Sequence, residues 1–448
     1  MLKRKFEKTL RDFLLKSPDK ILLVNGARQI GKSYLIRYVC KELFQNYIEI
    51  DLREDKDGDR IFSEIHSPQD FYFRLSTLGN LGDRSDTIVF LDEIQVYPHL
   101  LTMLKFLNKE RRFRYIASGS QLGIALSQTT SVPLGSIEIK EMYPLDFEEF
   151  LWGVNFGPSA IAIVQSKLEQ EESLDESVHN RLLKLFKYYL LVGGLPEAVA
   201  SFVSDNNLKT VREIQTAIHT LYRIDASQYD QVRKLKIRKI YDLIPSQLEN
   251  RKKRIVYKDI EGKKGKTFTD YADEFEYLVR SGIALDVTAV SNPKYPLIET
   301  ESKNLVKLYL NDVGLLTNLL YGMNPDAVLR DEGSINLGSV YETVVAQELK
   351  AHGFSLRYYD NKKVGEVDFL IDDQASLSTM PIEVKSGKDY KTHSALDKFL
   401  ANPDYGIRRA IVLSNEREIV VQNNIHYFPV YYCLLLNKFQ SEDIILRP

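Results

Sequence analysis

The chain has 448 residues, 44 % of them hydrophobic and 27 % charged, with a formal net charge of −2. That length exceeds a single core, so roughly two to four domains are expected, and a near-neutral total says nothing about partners. Two cysteines, Cys40 and Cys433, make no ligand pattern and suit a reducing compartment. No apolar run reaches the ~20 residues of a membrane helix, and MLKRKFEKTLRDFLL lacks a signal-peptide core. Disulfide-rich secreted and membrane-spanning classes are thereby set aside, and the cytoplasm is the expected location.

Residues 2–18 carry basic and apolar positions at helical spacing, which predicts a surface helix packed on the first domain. Ile21 to Val24 is a short apolar run and reads as a buried parallel strand. It ends at Asn25 and opens into Gly26-Ala27-Arg28-Gln29-Ile30-Gly31-Lys32-Ser33, which fits G-x-x-x-x-G-K-[ST]. Gly26 and Gly31 let backbone N–H groups wrap phosphate oxygens. Lys32 places a cation against the β- and γ-phosphates, and the Ser33 hydroxyl ligates Mg²⁺. A helix from Lys32 to about Glu42 then aims its positive dipole end at the anion. ATP with Mg²⁺ is the expected ligand.

Tyr47 to Leu52 is a second strand. Asp86 to Leu91 is a third, running straight into Asp92-Glu93-Ile94-Gln95. Asp92 would hold Mg²⁺ through water, and Glu93 would polarise the water that attacks the γ-phosphate. A fourth strand, Arg114 to Ala117, ends in Ser118-Gly119-Ser120, where Ser120 or Ser118 could sense the γ-phosphate. A fifth, Ile137 to Lys140, precedes Tyr143-Pro144-Leu145-Asp146-Phe147-Glu148-Glu149-Phe150. Strands alternating with helices at these intervals predict an α/β fold, a parallel sheet with helices on both faces and ligand at the strands' carboxyl ends.

The phosphate loop, LDEIQ, the ASGS turn and PLDFEEFLW together resemble an AAA-type ATPase family of bacteria and archaea, whose core is followed by a domain of unknown function. The likeness continues through Tyr189-Leu190-Leu191-Val192-Gly193-Gly194-Leu195-Pro196-Glu197-Ala198, similar to the helical lid motif of related ATPases. By that resemblance Gly194 and Pro196 approach the adenine and ribose, and the lid spans about 151–226. Hydrolysis in this class often takes an arginine from a neighbouring subunit, which admits a homo-oligomer. Arg111, Arg112 and Arg114 stand near the appropriate strand, though a solvated basic turn accounts for them as well.

From Gln231 to Lys266 thirteen Lys/Arg face four Asp/Glu, a local charge of about +9 in a chain of −2. Ile237 to Leu248 and Phe268 to Ser281 read as helices, followed by a Pro-bearing strand pair through Leu297. Helices before a short hairpin suggest a winged helix, with Arg251-Lys252-Lys253-Arg254 against nucleic-acid phosphates. DNA is the favoured partner; an exposed basic loop or an acidic protein partner is the alternative.

Lys307 to Leu319 reads as a connection, with Asp312 and Gly314 also matching the family. Gly338 to Lys350 reads as a helix whose Glu342 shares a face with Val345, Ala346 and Leu349. A carboxylate on an apolar stripe is costly unless it is paired or binds metal. In the strand 364–371, Glu366 and Asp368 point one way and Val367, Phe369 and Ile371 the other. Glu383 and Lys385 likewise share a face in Pro381-Ile382-Glu383-Val384-Lys385. Asp368 and Glu383 bridging Mg²⁺, Glu342 assisting and Lys385 orienting water would be the parts of metal-assisted phosphodiester hydrolysis. The pattern E…D…E-x-K resembles the PD-(D/E)xK nuclease superfamily in its Holliday-junction-resolvase-like branch, with Val367 where a proline often stands.

The sequence therefore predicts a multidomain α/β protein: an AAA-type P-loop core (1–150), a helical lid (151–226), a basic winged helix (227–305), a linker (306–336) and a restriction-endonuclease-like domain (337–448). The expected function is an ATPase acting on nucleic acid. The rival is a nucleotide-gated switch that binds a protein through an inactive nuclease-like domain.

Overall fold

The computed structural model describes residues 2–16, 19–79, 86–128, 135–226, 234–250, 253–330, 335, 337–387 and 389–438. The chain divides into two compact units: residues 1–143 with 276–283, and residues 144–275 with 284–448. Among the described residues no helix is long and apolar enough to cross a membrane.

The first unit is built on a parallel sheet of β1 (Ile21–Asn25), β2 (Asn46–Asp51), β3 (Thr87–Asp92), β4 (Arg114–Gly119) and β5 (Ile137–Glu141), in the order β2-β3-β4-β1-β5. The central strands are apolar without alternation because both faces are covered. Ile21, Leu23, Val89, Leu91 and Tyr115 pack with Leu100, Leu104 and Leu107 of the helix Pro98–Glu110, while Leu22, Val24, Ile88 and Phe90 are buried on the opposite side. Since β1 lies between β4 and β5, the loop after β1 opens beside the ends of β3 and β4. All five predicted strands are present within two residues of their expected limits. The helix Lys5–Lys16 follows Arg4, whose guanidinium donates to the carbonyls of Ile30 (3.0 Å) and Tyr143 (2.6 Å) and so ties the chain's start to the phosphate loop.

In the second unit, helices Glu176–Val192, Pro196–Asp205 and Leu208–Ala226 accompany an eight-stranded mixed sheet. Its strands are β6 (Ala284–Val290), β7 (Glu301–Leu310), β8 (Arg357–Asn361), β9 (Gly365–Asp373), β10 (Ser378–Val384), β11 (Ala410–Ser414), β12 (Val420–Gln422) and β13 (Ile425–Pro429). Their order is β12-β13-β11-β10-β9-β8-β6-β7.

Two sequence expectations are corrected here. The hairpin expected to form a wing by residue 297 is instead β6 and β7, and Thr288 and Ala289 of β6 pair in parallel with β8, which merges it with the terminal sheet. The connection placed at 306–336 holds the end of β7 and the helix Val313–Tyr321, capped by the Asp312 carboxylate accepting from Leu315 N at 3.0 Å. After β13 the chain leaves the sheet at Pro429, which has no N–H to offer a ladder, and winds into a 3₁₀ segment, Val430–Leu435.

Candidate nucleotide site and a buried acidic cluster

The phosphate loop joins β1 to the helix Lys32–Leu43. At Gly26 (φ +149°) a Cβ would stand 2.3 Å from the Met142 carbonyl oxygen, so only glycine fits where the loop leaves the sheet. Asn25 holds the exit: its amide donates to both Glu141 carboxylate oxygens at 3.0 Å and its Oδ1 accepts from Leu122 N at 3.3 Å. Lys32 is buried and folds back onto its own loop, donating to the carbonyls of Gly26 (2.9 Å) and Ala27 (2.8 Å). Burial pulls its ammonium down to about 8, against the pull of Glu93 and Asp92 in the other direction.

The ends of β3 and β4 face this loop. Asp92 is buried, accepts from the Ser118 hydroxyl and from the backbone N–H of Glu93 at 3.0 Å. Burial raises its carboxyl above the usual range, while hydrogen bonds from Ser118 and Ser33 act in the opposite sense. Glu93 adopts a left-handed backbone (φ 55°). Its carboxylate accepts from the Gln95 side-chain amide at 2.6 Å, has the Ser120 hydroxyl at 3.5 Å and lies 3.9 Å from the Arg28 guanidinium. The structure thus brings Arg28, Lys32, Ser33, Asp92, Glu93 and Ser120 of the expected set together. Gln29 (φ 63°) and Gly31 (φ 90°) supply the loop's turn, and Ile30 anchors it through a buried side chain. Oxygen donors at Ser33 and Asp92 beside the loop are the hard ligand set that suits Mg²⁺.

Four contributors escaped the sequence reading. Gln95, Arg4 and Asn25 lie in or beside the quoted motifs but carry no motif signal of their own. Gly282 lies far downstream: at φ +73° its absent Cβ would come 2.9 Å from Ala27 N, so the segment 276–283 packs directly on the phosphate loop. Tyr277 and Arg280 of the same segment bond Gln121 Nε2 (2.9 Å) and the Gly123 carbonyl (3.0 Å).

Gly194 and Pro196 belong to the second unit. Gly194 N donates to the Asp312 carboxylate at 2.6 Å and its carbonyl accepts from Leu145 N at 2.7 Å, while Pro196 opens the helix Pro196–Asp205. Both backbone groups of Gly194 are therefore committed within the second unit.

Also within the second unit, the helix Gly338–Ala351 and strands β9 and β10 gather the four residues of the nuclease-like pattern. Each is already engaged. Glu342 is ion-paired with Lys253 and accepts from the Tyr309 hydroxyl at 2.9 Å. Asp368 accepts from Val384 N at 2.9 Å, and Lys385 donates to Glu383 at 2.8 Å. The fully buried Lys307 meets Glu366 at 2.5 Å and lies 4.4 Å from the Tyr358 ring centroid. Burial and the nearby Asp368 push both Glu342 and Glu383 upward. Among the described residues no group of three His, Cys, Asp or Glu is arranged to hold a metal ion. With an ammonium seated on Glu342, the donors present do not fit Mg²⁺.

Of the basic stretch, Gln231–Arg233, Arg251 and Lys252 lie outside the described residues. Lys236, Arg238, Lys253, Arg254 and Lys266 are ion-paired with Glu261, Asp242, Glu342, Asp360 and Asp270. Lys239, Lys258, Lys263 and Lys264 are exposed.

A five-stranded parallel sheet with this loop after β1 and an Asp-Glu pair after β3 is the fold of a P-loop nucleotide-binding protein. In agreement, residues 18–151 match the family described as AAA domain, which supports ATP binding and hydrolysis. Residues 183–326 and 337–433 match two families described as domains of unknown function, DUF8612 and DUF4143. Among solved structures, the chain is similar to the Walker-type ATPase of Pyrococcus abyssi at 17 % identity and TM-score 0.43, over 71 % of this chain and 96 % of that one. It is similar to the RuvB Holliday junction branch migration motor of Thermotoga maritima at 15 % and 0.32, over 63 % and 89 %. The S. cerevisiae Hsp104–ADP complex gives 13 % and 0.28, over 63 % and 38 %. None of these scores reaches one half, so the assignment stands on the AAA match and the geometry. No curated protein matches the chain.

Proposed function

We propose that the first unit binds ATP on Gly26–Ser33 and hydrolyses it. What carries the reading is the convergence of Lys32, Asp92 and Glu93 at one end of the parallel sheet, with Gln95 and Ser120 on the Glu93 carboxylate. Backbone N–H groups of the loop and the Lys32 ammonium neutralise the phosphates. Ser33 and Asp92 would hold Mg²⁺, which when bound offsets charge on the β- and γ-phosphates. Glu93 accepts a proton from the attacking water, and Gln95 fixes the direction of its carboxylate. Lys32→Ala should abolish ATP binding, while Glu93→Gln should retain ATP and lose turnover. Normal hydrolysis by Glu93→Gln would remove Glu93 from the role of base.

For the second unit, the proposed partner is nucleic acid, DNA being favoured, met by the exposed Lys239, Lys258, Lys263 and Lys264, with a nuclease-like sheet in the same unit. The five internal ion pairs of neighbouring basic residues favour a second reading. In it ATP sets a conformation that a protein partner recognises, and the nuclease-like sheet does not cut. An ATPase rate that rises with DNA supports the first; ATP held without turnover, unaffected by DNA, supports the second.

A further inference from the structure

The helices Leu208–Ala226 and Val313–Tyr321 of the second unit border a cavity of about 620 Å³. Its lining is Arg212, Glu213, Thr216, Ala217 and Thr220 of the first helix, Asn318 of the second, and Met323 just beyond it. That volume falls within the ~300–1,000 Å³ of small-molecule sites. Arg212 stands apart from the rest, being only 2 % exposed.

One nitrogen of its guanidinium is fully used. Nη1 donates to the carbonyls of Leu191 and Gly314, both at 3.1 Å, to Gln215 Oε1 at 2.8 Å and to Thr317 Oγ1 at 3.1 Å. The bond to Leu191 serves the carboxyl end of the helix Glu176–Val192, where a cation is favourable. Nε and Nη2 are buried and meet no acceptor among the described residues. Asp312 acts on the guanidinium through space, but its carboxylate accepts from Gly194 N and Leu315 N. Nε and Nη2 form one edge, whose parallel N–H groups match the two oxygens of a carboxylate. Arg223, on the same helix, shows that edge in use: it holds Asp242 through Nε at 2.7 Å and Nη2 at 2.9 Å.

The other side-chain donors of the lining are spent on one another. Thr216 Oγ1 donates to the Arg212 carbonyl at 2.8 Å, and Thr220 Oγ1 to the Thr216 carbonyl at 2.9 Å. Asn318 Nδ2 donates to the Arg212 carbonyl at 3.3 Å and to Thr216 Oγ1 at 3.0 Å. Among the lining side chains the guanidinium alone has N–H groups left to give. Burial pulls it down to about 10, so it is charged at neutral pH. A buried cation with open donors is costly until an anion meets it.

We propose that this cavity binds a small molecule through a carboxylate, seated bidentately on Nε and Nη2 of Arg212. Charge selects the carboxylate: one guanidinium with Glu213 at the same cavity suits a single negative charge better than a phosphate dianion. Ala217 and Met323 offer apolar surface to the body of the ligand. Since both nitrogens are buried, a lining side chain must give way, and Met323, unbranched and 56 % exposed, can do so. The site is independent of the nucleotide and nuclease readings.

The test titrates para-bromobenzoate into the full chain by calorimetry at neutral pH and locates the bromine by anomalous diffraction from soaked crystals. The bromine should lie in the cavity, with the carboxylate on Arg212. Para-bromobenzamide, of the same shape without the charge, and inorganic phosphate should each bind at least about tenfold more weakly. Arg212→Lys keeps the charge and loses the fork, so it should weaken para-bromobenzoate at least about tenfold. Because Arg212→Lys also loosens the end of the helix Glu176–Val192, Ala217→Trp is measured beside it. That variant fills the exposed side of the cavity and leaves Arg212 untouched; it should melt like wild type and show the same loss of binding. No bound para-bromobenzoate, bromine placed elsewhere, or undiminished binding in either variant overturns the proposal, and an edge that meets only water gives the first of these. Phosphate held as tightly as para-bromobenzoate would overturn the assignment to a carboxylate.

Discussion

Glu93 illustrates how much of a site can depend on one neighbour. Its left-handed backbone (φ 55°) costs about 1–2 kcal/mol for a residue with a Cβ, and its carboxylate is aimed by the Gln95 amide at 2.6 Å. Gln95→Ala leaves the phosphate loop intact, so ATP affinity should hardly change, while kcat should fall about 10- to 100-fold because the base is no longer directed at the water. Steady-state kinetics beside equilibrium ATP binding separates the two; an unchanged kcat would free Gln95 of any positioning role. Lys32 yields a pH dependence. Its ammonium is pulled down to about 8 by burial, so below pH 8 the free protein carries the proton that bound phosphates favour. ATP affinity should hold up to about pH 8 and fall above it, by up to about tenfold per pH unit, as binding must then take up a proton. The stability of the nucleotide-free protein moves the other way. With the folded value below the unfolded one, the unfolded chain binds more protons between about pH 8 and the ordinary lysine range, and stability from this group rises with pH there. Lys32→Ala should flatten the stability trend, and a wild-type ATP affinity constant to pH 9.5 would contradict the assignment of this lysine.

Whole elements were legible in the sequence where burial leaves a local signature. The first sheet's central strands β3, β4 and β1 are covered on both faces and largely apolar, and they run into the Asp-Glu pair, the Ser-Gly-Ser turn and the phosphate loop, whereas the edge strands β2 and β5 mix charge with apolar residues. β7 is different: Glu301–Leu310 mixes charge with apolar residues, and its deeply buried Lys307 is compensated by Glu366, far away in sequence. Nothing local distinguishes that lysine from a solvated one, so the strand reads as a connection. Likewise, the residues Glu342, Asp368, Glu383 and Lys385 stand out by pattern, but the cation seated on Glu342 does not. Lys253 looks like one more charge in a basic run until the fold brings it against the helix Gly338–Ala351. Gly194 adds a use that only tertiary structure discloses: its backbone groups go to Leu145 and Asp312.

At the scale of the molecule, the nucleotide-binding unit is not one stretch of chain. Residues 1–143 are completed by 276–283, with 144–275 intervening. The returning segment places Gly282 against Ala27 of the phosphate loop and bonds Gln121 and Gly123 after β4 through Tyr277 and Arg280. A domain boundary drawn at residue 150 from sequence alone therefore omits part of the wall behind the phosphates. An isolated 1–150 fragment should melt below the first unit of the full chain and bind ATP at least about tenfold more weakly, a loss of ~1.4 kcal/mol. The full chain carrying Gly282→Ala checks the same point without truncation. Its new methyl meets Ala27 N at 2.9 Å in a left-handed backbone, so it should weaken ATP in the same direction while the melting of the second unit is unmoved. If the 1–150 fragment holds ATP as tightly as the full chain, and Gly282→Ala binds normally, the phosphate loop needs no support from the downstream segment.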